Sequence, residues 1–127
     1  MKIILVIDDC VEICENISEL LVLEGYEVIS AASAKTGLIL ARRNIPSVIL
    51  CDIMMPEMGG YEVFRQLRNS ELTRNIPFIF LSSVTEKKDI RIALNAGVDG
   101  YIQKPFDEAI LFSTIKHCLK IQLQVHA

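Results

Sequence analysis

Two apolar runs end directly in acid, and they constrain the fold more than any other feature of the chain. Ile3-Ile4-Leu5-Val6-Ile7 is followed by Asp8-Asp9, and Val48-Ile49-Leu50-Cys51 by Asp52. Both runs have the length and β-branched content of strands buried on both faces of a parallel sheet. The acids then stand where such strands reach the edge of their sheet. In open α/β sheets that edge is where ligands bind. Carboxylates gathered there repel one another unless a cation sits among them. Hard oxygen donors of this kind suit Mg²⁺, which binds through a few carboxylates, waters and a substrate phosphate. The first expectation is therefore a metal-dependent phosphate site.

The rest of the chain repeats the alternation of strand and helix. Strands are expected at about residues 3–7, 26–31, 47–51, 78–81 and 100–102. Helix 1 is expected over about 10–23, with Val11, Cys14, Ile17, Leu20 and Leu21 at helical spacing and Gly25 as its stop. Ser33 suits an N-cap for helix 2, which should run to about Arg43, with Asn44 and Pro46 separating it from strand 3. Helix 3 follows the loop Ile53–Gly60 and reaches about Arg68. Helix 4 is expected over about 86–96, closing at Gly97, and helix 5 from near Phe106 to about Leu123. Such alternation implies an α/β fold, a doubly wound five-stranded parallel sheet with helices on both faces.

The 127 residues suit one domain spanning 1–127, with no internal repeat or linker. Apolar residues make up 51%, enough for a full core. The net charge of −3, with no basic stripe, argues against direct nucleic-acid binding. Arg42-Arg43 and Lys87-Lys88 read as solvated helix positions. No apolar run approaches the roughly 18 residues of a membrane span. Asp8 interrupts the first run far short of a signal peptide's apolar region, so a cytoplasmic protein is expected. Cys10, Cys14, Cys51 and Cys118 form no CxxC pair and read as reduced, mostly buried residues. Cys10, beside the acidic pair, is the one open to chemistry.

The ends of strands 1, 3, 4 and 5 deliver Asp8 and Asp9, Asp52, Ser82 and Lys104 to one edge. In a flavodoxin-like strand order 2-1-3-4-5 the crevice opens between strands 1 and 3, where the acids lie. A carboxylate there can act as a nucleophile toward phosphorus and form an aspartyl-phosphate. The transfer then needs its equatorial oxygens neutralised. A divalent cation, the Lys104 ammonium and the Ser82 hydroxyl supply what is required.

The stretches VIDD, CDIMMPEMGGYE, FLSS and GYIQKPF resemble those of receiver domains of two-component response regulators, in order and over nearly the whole chain. The resemblance implies that Asp52 is the phosphoacceptor. It implies that Asp9 holds Mg²⁺ (or Mn²⁺) directly and Asp8 through water, with Asp52 and the Met54 backbone carbonyl as further ligands. Ser82 would contact the phosphoryl group in place of the more frequent Thr, with Ser83 its adjacent competitor, and Lys104 would pair with it. Tyr101 would be the aromatic that changes rotamer, and Pro105 would follow a cis peptide bond. The implied function is a phosphorylation-dependent signalling switch. A histidine kinase or phosphotransfer protein would phosphorylate it, and the chain would catalyse only its own phosphorylation and dephosphorylation. Output would pass through the face of helix 4, strand 5 and helix 5, to a downstream protein or to a second copy.

Two positions depart from the commoner pattern. Met54 and Val84, each two residues past a site residue, are apolar and cannot hold an attacking water. A long phosphate lifetime is the expectation. Three rivals are weaker. An aspartate-nucleophile phosphatase would carry its nucleophile after strand 1 in a spaced DxD, with a cap domain. A flavodoxin-like binding module would need a Ser/Thr/Gly-rich phosphate loop where this chain has Asp-Asp-Cys-Val-Glu. A pseudo-receiver acting without phosphorylation is disfavoured because every site residue is present. Kinase, pathway and output, and whether the chain stands alone or belongs to a longer protein, are not encoded in these motifs.

Overall fold

The computed structural model describes residues 2–83 and 87–126. The strands are β1 (Ile3–Ile7), β2 (Glu27–Ala31), β3 (Val48–Asp52), β4 (Phe78–Ser82) and β5 (Gly100–Gln103). The helices are α1 (Val11–Leu23), α2 (Ala34–Asn44), α3 (Gly60–Arg68), α4 (Lys87–Asn95) and α5 (Glu108–His126). All pairings are parallel, and the sheet order is β2-β1-β3-β4-β5. The expected order is borne out. The chain leaves β1 toward β2 on one side and returns to β3 on the other, so the crevice between β1 and β3 is the switch point of the sheet.

Strand side chains alternate between the two faces, so each apolar run feeds two cores. Leu5, Ile7, Ile49, Cys51, Phe78 and Phe80 pack with Leu38 of α2, Val63, Phe64 and Leu67 of α3, and Ala93 of α4. Ile4, Val6, Val48, Leu50, Ile79 and Leu81 pack with Ile17 and Leu21 of α1 and Leu111 and Ile115 of α5. Burial of both faces explains why β1, β3 and β4 read as continuous apolar runs. No described helix is long and apolar enough to cross a membrane.

Local signals set most of the boundaries. The Ser33 hydroxyl accepts a hydrogen bond from Thr36 N–H at 3.2 Å and caps α2. Gly25 takes φ +94° after α1, the left-handed conformation that glycine adopts without strain. One expectation needs correcting. Asn44 does not separate α2 from β3; it is the last helical residue, and its side-chain amide donates to Leu40 O at 3.0 Å. The left-handed stop falls on Ile45, φ 45°. Pro46 disfavours helical backbone in the residue before it, so it pushes the break there despite the β-branched side chain. Other edges move by one to three residues: Asp52 lies inside β3, and α5 begins at Glu108 and runs to His126.

At the sheet edge away from the acids, Arg68 and Asp99 form a clamp that the sequence reading did not anticipate. Asp99 Oδ2 accepts from Phe78 N–H at 2.8 Å and from Arg68 Nη2 at 2.7 Å. Arg68 Nη1 donates to Ile76 O at 2.7 Å, and the guanidinium lies 4.8 Å from the centre of the Phe64 ring. The clamp joins the end of α3 to the start of β4 and the approach to β5.

Candidate functional site

β1 ends by placing Asp8 in the crevice with a fully buried side chain. Its N–H still donates to Ala31 O at 3.0 Å, which continues the β1–β2 ladder by one residue. Asp8 Oδ1 accepts from Cys10 N–H at 2.9 Å, so Asp8 holds the turn into α1. Its other oxygen accepts from Lys104 Nζ at 2.7 Å. Asp9 is exposed at the mouth. Asp52, buried, ends β3 on the other side of the crevice. A carboxylate oxygen from each of Asp8, Asp9 and Asp52 lies within 4.8 Å of the other two.

The backbone of Asp52 is held from behind. Gly60 N–H donates to Ile53 O at 2.9 Å, and α3 starts so close that a Cβ on Gly60 would lie 2.4 Å from Asp52 O. Only glycine allows this approach. The expected site loop therefore ends in a residue whose missing side chain lets α3 sit against the end of β3.

Lys104 reaches the acids from β5. Its N–H donates to Ser82 O at 2.8 Å, which extends the β4–β5 pairing past Gln103. The Lys104–Pro105 peptide bond is cis. The ammonium lies 3.4 Å from Asp52 Oδ1, farther than from Asp8. Burial alone would lower the Lys104 pKa; the hydrogen bond to Asp8 and the charges of Asp52 and Asp8 outweigh it and raise it. Asp52 is raised above the usual carboxylate range, first by burial and then by the Asp8 charge, with Lys104 opposing.

Ser82 ends β4 with its side chain buried, whereas Ser83 is exposed and lines a groove with Lys104. Met54 projects into solvent, 70% exposed. Tyr101 is half-buried in β5 and pairs in register with Phe80. Val84 lies outside the described residues. The fold thus brings Asp8, Asp9, Asp52 and Lys104 together and sets Ser82 at the adjoining strand end, while Tyr101 stands one strand pairing away. Cys10 is exposed at the start of α1 without a side-chain cap bond, and Cys14, Cys51 and Cys118 are buried. Sequence reasoning missed the Gly60 seat and the position of Tyr61, whose ring packs on Phe80. The Gly59-Gly60 pair was the available signal for the first; nothing local announced the second.

The donor set fits a hard divalent cation. Three carboxylates converge on an open-mouthed crevice, and the Lys104 ammonium offsets only part of their charge. Asp8, Asp9 and Asp52 are the side chains that would hold such an ion. It would supply charge neutralisation for a phosphoryl group at Asp52.

The family model for the response regulator receiver domain matches residues 4–116. The chain is 33% identical over 122 residues to the response regulator PleD of Caulobacter vibrioides, covering 96% of this chain and 27% of that protein. It is 35% identical over 129 residues to the response regulator SaeR of Staphylococcus aureus, covering 99% of this chain and 54% of that one. The chain therefore spans about a quarter to a half of the length of these curated relatives. Among solved structures, a CheY-like receiver domain protein from Methanospirillum hungatei superposes with a TM-score of 0.88 at 32% identity, over 98% of each chain.

Proposed function

The chain belongs to the response regulator receiver domain family, and from that premise we propose that residues 1–127 form a single receiver domain whose phosphoacceptor is Asp52. The observation that carries the reading is the convergence of Asp8, Asp9, Asp52 and Lys104 at the β1–β3 switch point. A phosphohistidine of a histidine kinase or phosphotransfer protein donates: the N–P bond breaks as a bond forms from phosphorus to an Asp52 oxygen. Lys104 swings its ammonium from Asp8 toward the new phosphoryl oxygens, and the Ser82 hydroxyl donates to them. Mg²⁺ (or Mn²⁺) would be held by Asp8, Asp9 and Asp52, with the Met54 carbonyl as a further ligand, and would neutralise charge on the phosphoryl group. The chain is a signalling domain, and its own phosphorylation and dephosphorylation are the reactions it promotes.

The donor approaches over a groove of about 650 Å³ lined by Ile13, Asn16 and Leu20 of α1 and by Lys104, Pro105 and Phe106. Lys104 belongs to both groove and crevice, which supports a donor seated there. Recruitment of Ser82 draws Tyr101 inward and changes the α4–β5–α5 face. Ile90, Tyr101, Phe106 and Ile110 line a groove on that face, with exposed Leu94 beside Ile90, an apolar surface suited to a downstream protein or a second copy. The place of action is the cytoplasm, where such kinases present their phosphohistidine. Met54 at the mouth offers no hydrogen bond to an attacking water, so the phosphorylated state is long-lived.

Acetyl phosphate with Mg²⁺ should add one phosphoryl group to the wild type and none to Asp52→Asn, read by intact-protein mass spectrometry. Equal labelling of Asp52→Asn would remove Asp52 as the acceptor.

A further inference from the structure

Tyr61 is the second residue of α3, and the turn before it is closely packed against β3. Gly60 is bonded to Ile53 O and pressed against Asp52 O. The next side chain is thereby aimed by the acceptor strand itself. The Tyr61 ring lands on Phe80, with ring centres 4.8 Å apart and planes at 59°. Phe80 is the β4 residue that pairs with Tyr101 of β5. Register partners on neighbouring parallel strands lie side by side, on the same face of the sheet. Phe80 belongs to the core beneath α2, α3 and α4, and Tyr101 packs against that same core. Tyr61, Phe80 and Tyr101 therefore form a row across the sheet edge. The Tyr61 hydroxyl is raised above the ordinary tyrosine range, by burial first and then by Tyr101 and Asp89 of α4, which places it within electrostatic reach of both.

We propose that Tyr61 is a positioning residue for Tyr101: its ring covers the flank of Phe80 that Tyr101 packs on when it turns inward. The size of residue 61 then sets how often Tyr101 is inward before any phosphoryl group arrives. This rests on the reading of Tyr101 as the aromatic that changes rotamer. It adds a connection that runs from the Asp52 backbone through Gly60 and Tyr61, separate from the one through Ser82. A ligand or mutation shifts such an equilibrium only by its difference between the two states. A ring that competes for space in one of them is such a difference.

Nitration by tetranitromethane, mapped to each tyrosine by peptide mass spectrometry, reads the exposure of Tyr101. The chain offers Tyr26, Tyr61 and Tyr101, and Tyr26 serves as the internal reference. In the wild type, Mg²⁺ with beryllofluoride, a mimic of the phosphoryl group, should protect Tyr101. In Tyr61→Leu, Tyr101 should already be protected at rest, with nitration slowed about threefold. Tyr61→Phe keeps the ring and should keep the wild-type rate, whereas a mere loss of packing in Tyr61→Leu would loosen the contacts around Phe80 and speed Tyr101 nitration instead of slowing it. Should Tyr61→Leu fail to fold, Tyr61→Met makes the same comparison. An unchanged or faster Tyr101 nitration in the folded apolar variant overturns the proposal. A wild-type Tyr101 that beryllofluoride leaves unprotected refutes the rotamer reading itself, and the role of Tyr61 with it.

Discussion

Replacing Gly60 by alanine tests how tightly the acceptor strand is seated. The added Cβ would meet Asp52 O at 2.4 Å, Ile53 Cα at 3.0 Å and Asp52 C at 3.2 Å. All three are backbone atoms, so no flexible side chain can give way. Forcing a methyl group into packed surroundings costs roughly 1–3 kcal/mol. Alanine recovers up to about 1 kcal/mol through its better helix propensity. The net loss is then about 1–2 kcal/mol, a melting temperature lower by roughly 4–8 °C for a domain of this size. The strain falls on the acceptor, since α3 or β3 must retreat by several tenths of an ångström. Misplacing a reacting group by about 1 Å can slow a reaction a hundredfold. Labelling by acetyl phosphate should therefore slow by about tenfold, although no side chain of the site has changed. Gly59→Ala meets only Ile53 O, at 3.0 Å, and should have the smaller effect on both readouts. Circular dichroism melting and a labelling time course measure the two quantities. If Gly60→Ala melts at or above the wild-type temperature and labels at the wild-type rate, the close approach relaxes freely and the seating argument is wrong.

Asp99→Ala removes the acceptor of both Phe78 N–H and Arg68, and should destabilise by about 2–3 kcal/mol in urea unfolding with an unchanged m-value. Asp99→Asn keeps an acceptor for the amide and should lose about 1 kcal/mol less. Mg²⁺ should raise the melting temperature of the wild type by relieving the crowded carboxylates. Asp9→Ala should lose that response and be at least as stable as the wild type without metal; a full response in the variant would exclude Asp9 as a ligand. Burial pushes the Cys14 and Cys118 thiols up to about 11. At pH 8 about one part in a thousand of each is then thiolate. Iodoacetamide should accordingly modify exposed Cys10 alone in the folded protein, with the other three reacting only on unfolding, as mass spectrometry would count.

The apolar runs, the punctuating glycines and prolines and the acids at the run ends are local features, and they were enough for the architecture. A run such as Val48–Cys51 reads as a buried strand because both of its faces must be covered, and helices on both faces follow from that requirement. The acids needed no contacts to be noticed, since a charge at the end of an apolar run is costly unless it has a purpose. Boundaries were less secure where two local signals competed. Asn44 favours a stop, but Pro46 acts on the residue just before it and wins.

Only the tertiary structure decided which partners those residues meet. Lys104 stands 96 positions from Asp8, and its preference for Asp8 over Asp52 depends on how β5 continues along β4. Asp99 pairs with Arg68 across 31 positions because α3 ends beside the start of β4. Tyr61 rests on Phe80 because Gly60 lets α3 begin against the acceptor backbone. Hydrophobic periodicity is a property of neighbours in the chain, so it can be read from the chain. Ion pairs, ring contacts and close backbone approaches join residues distant in sequence, so their geometry exists only once the sheet has been assembled.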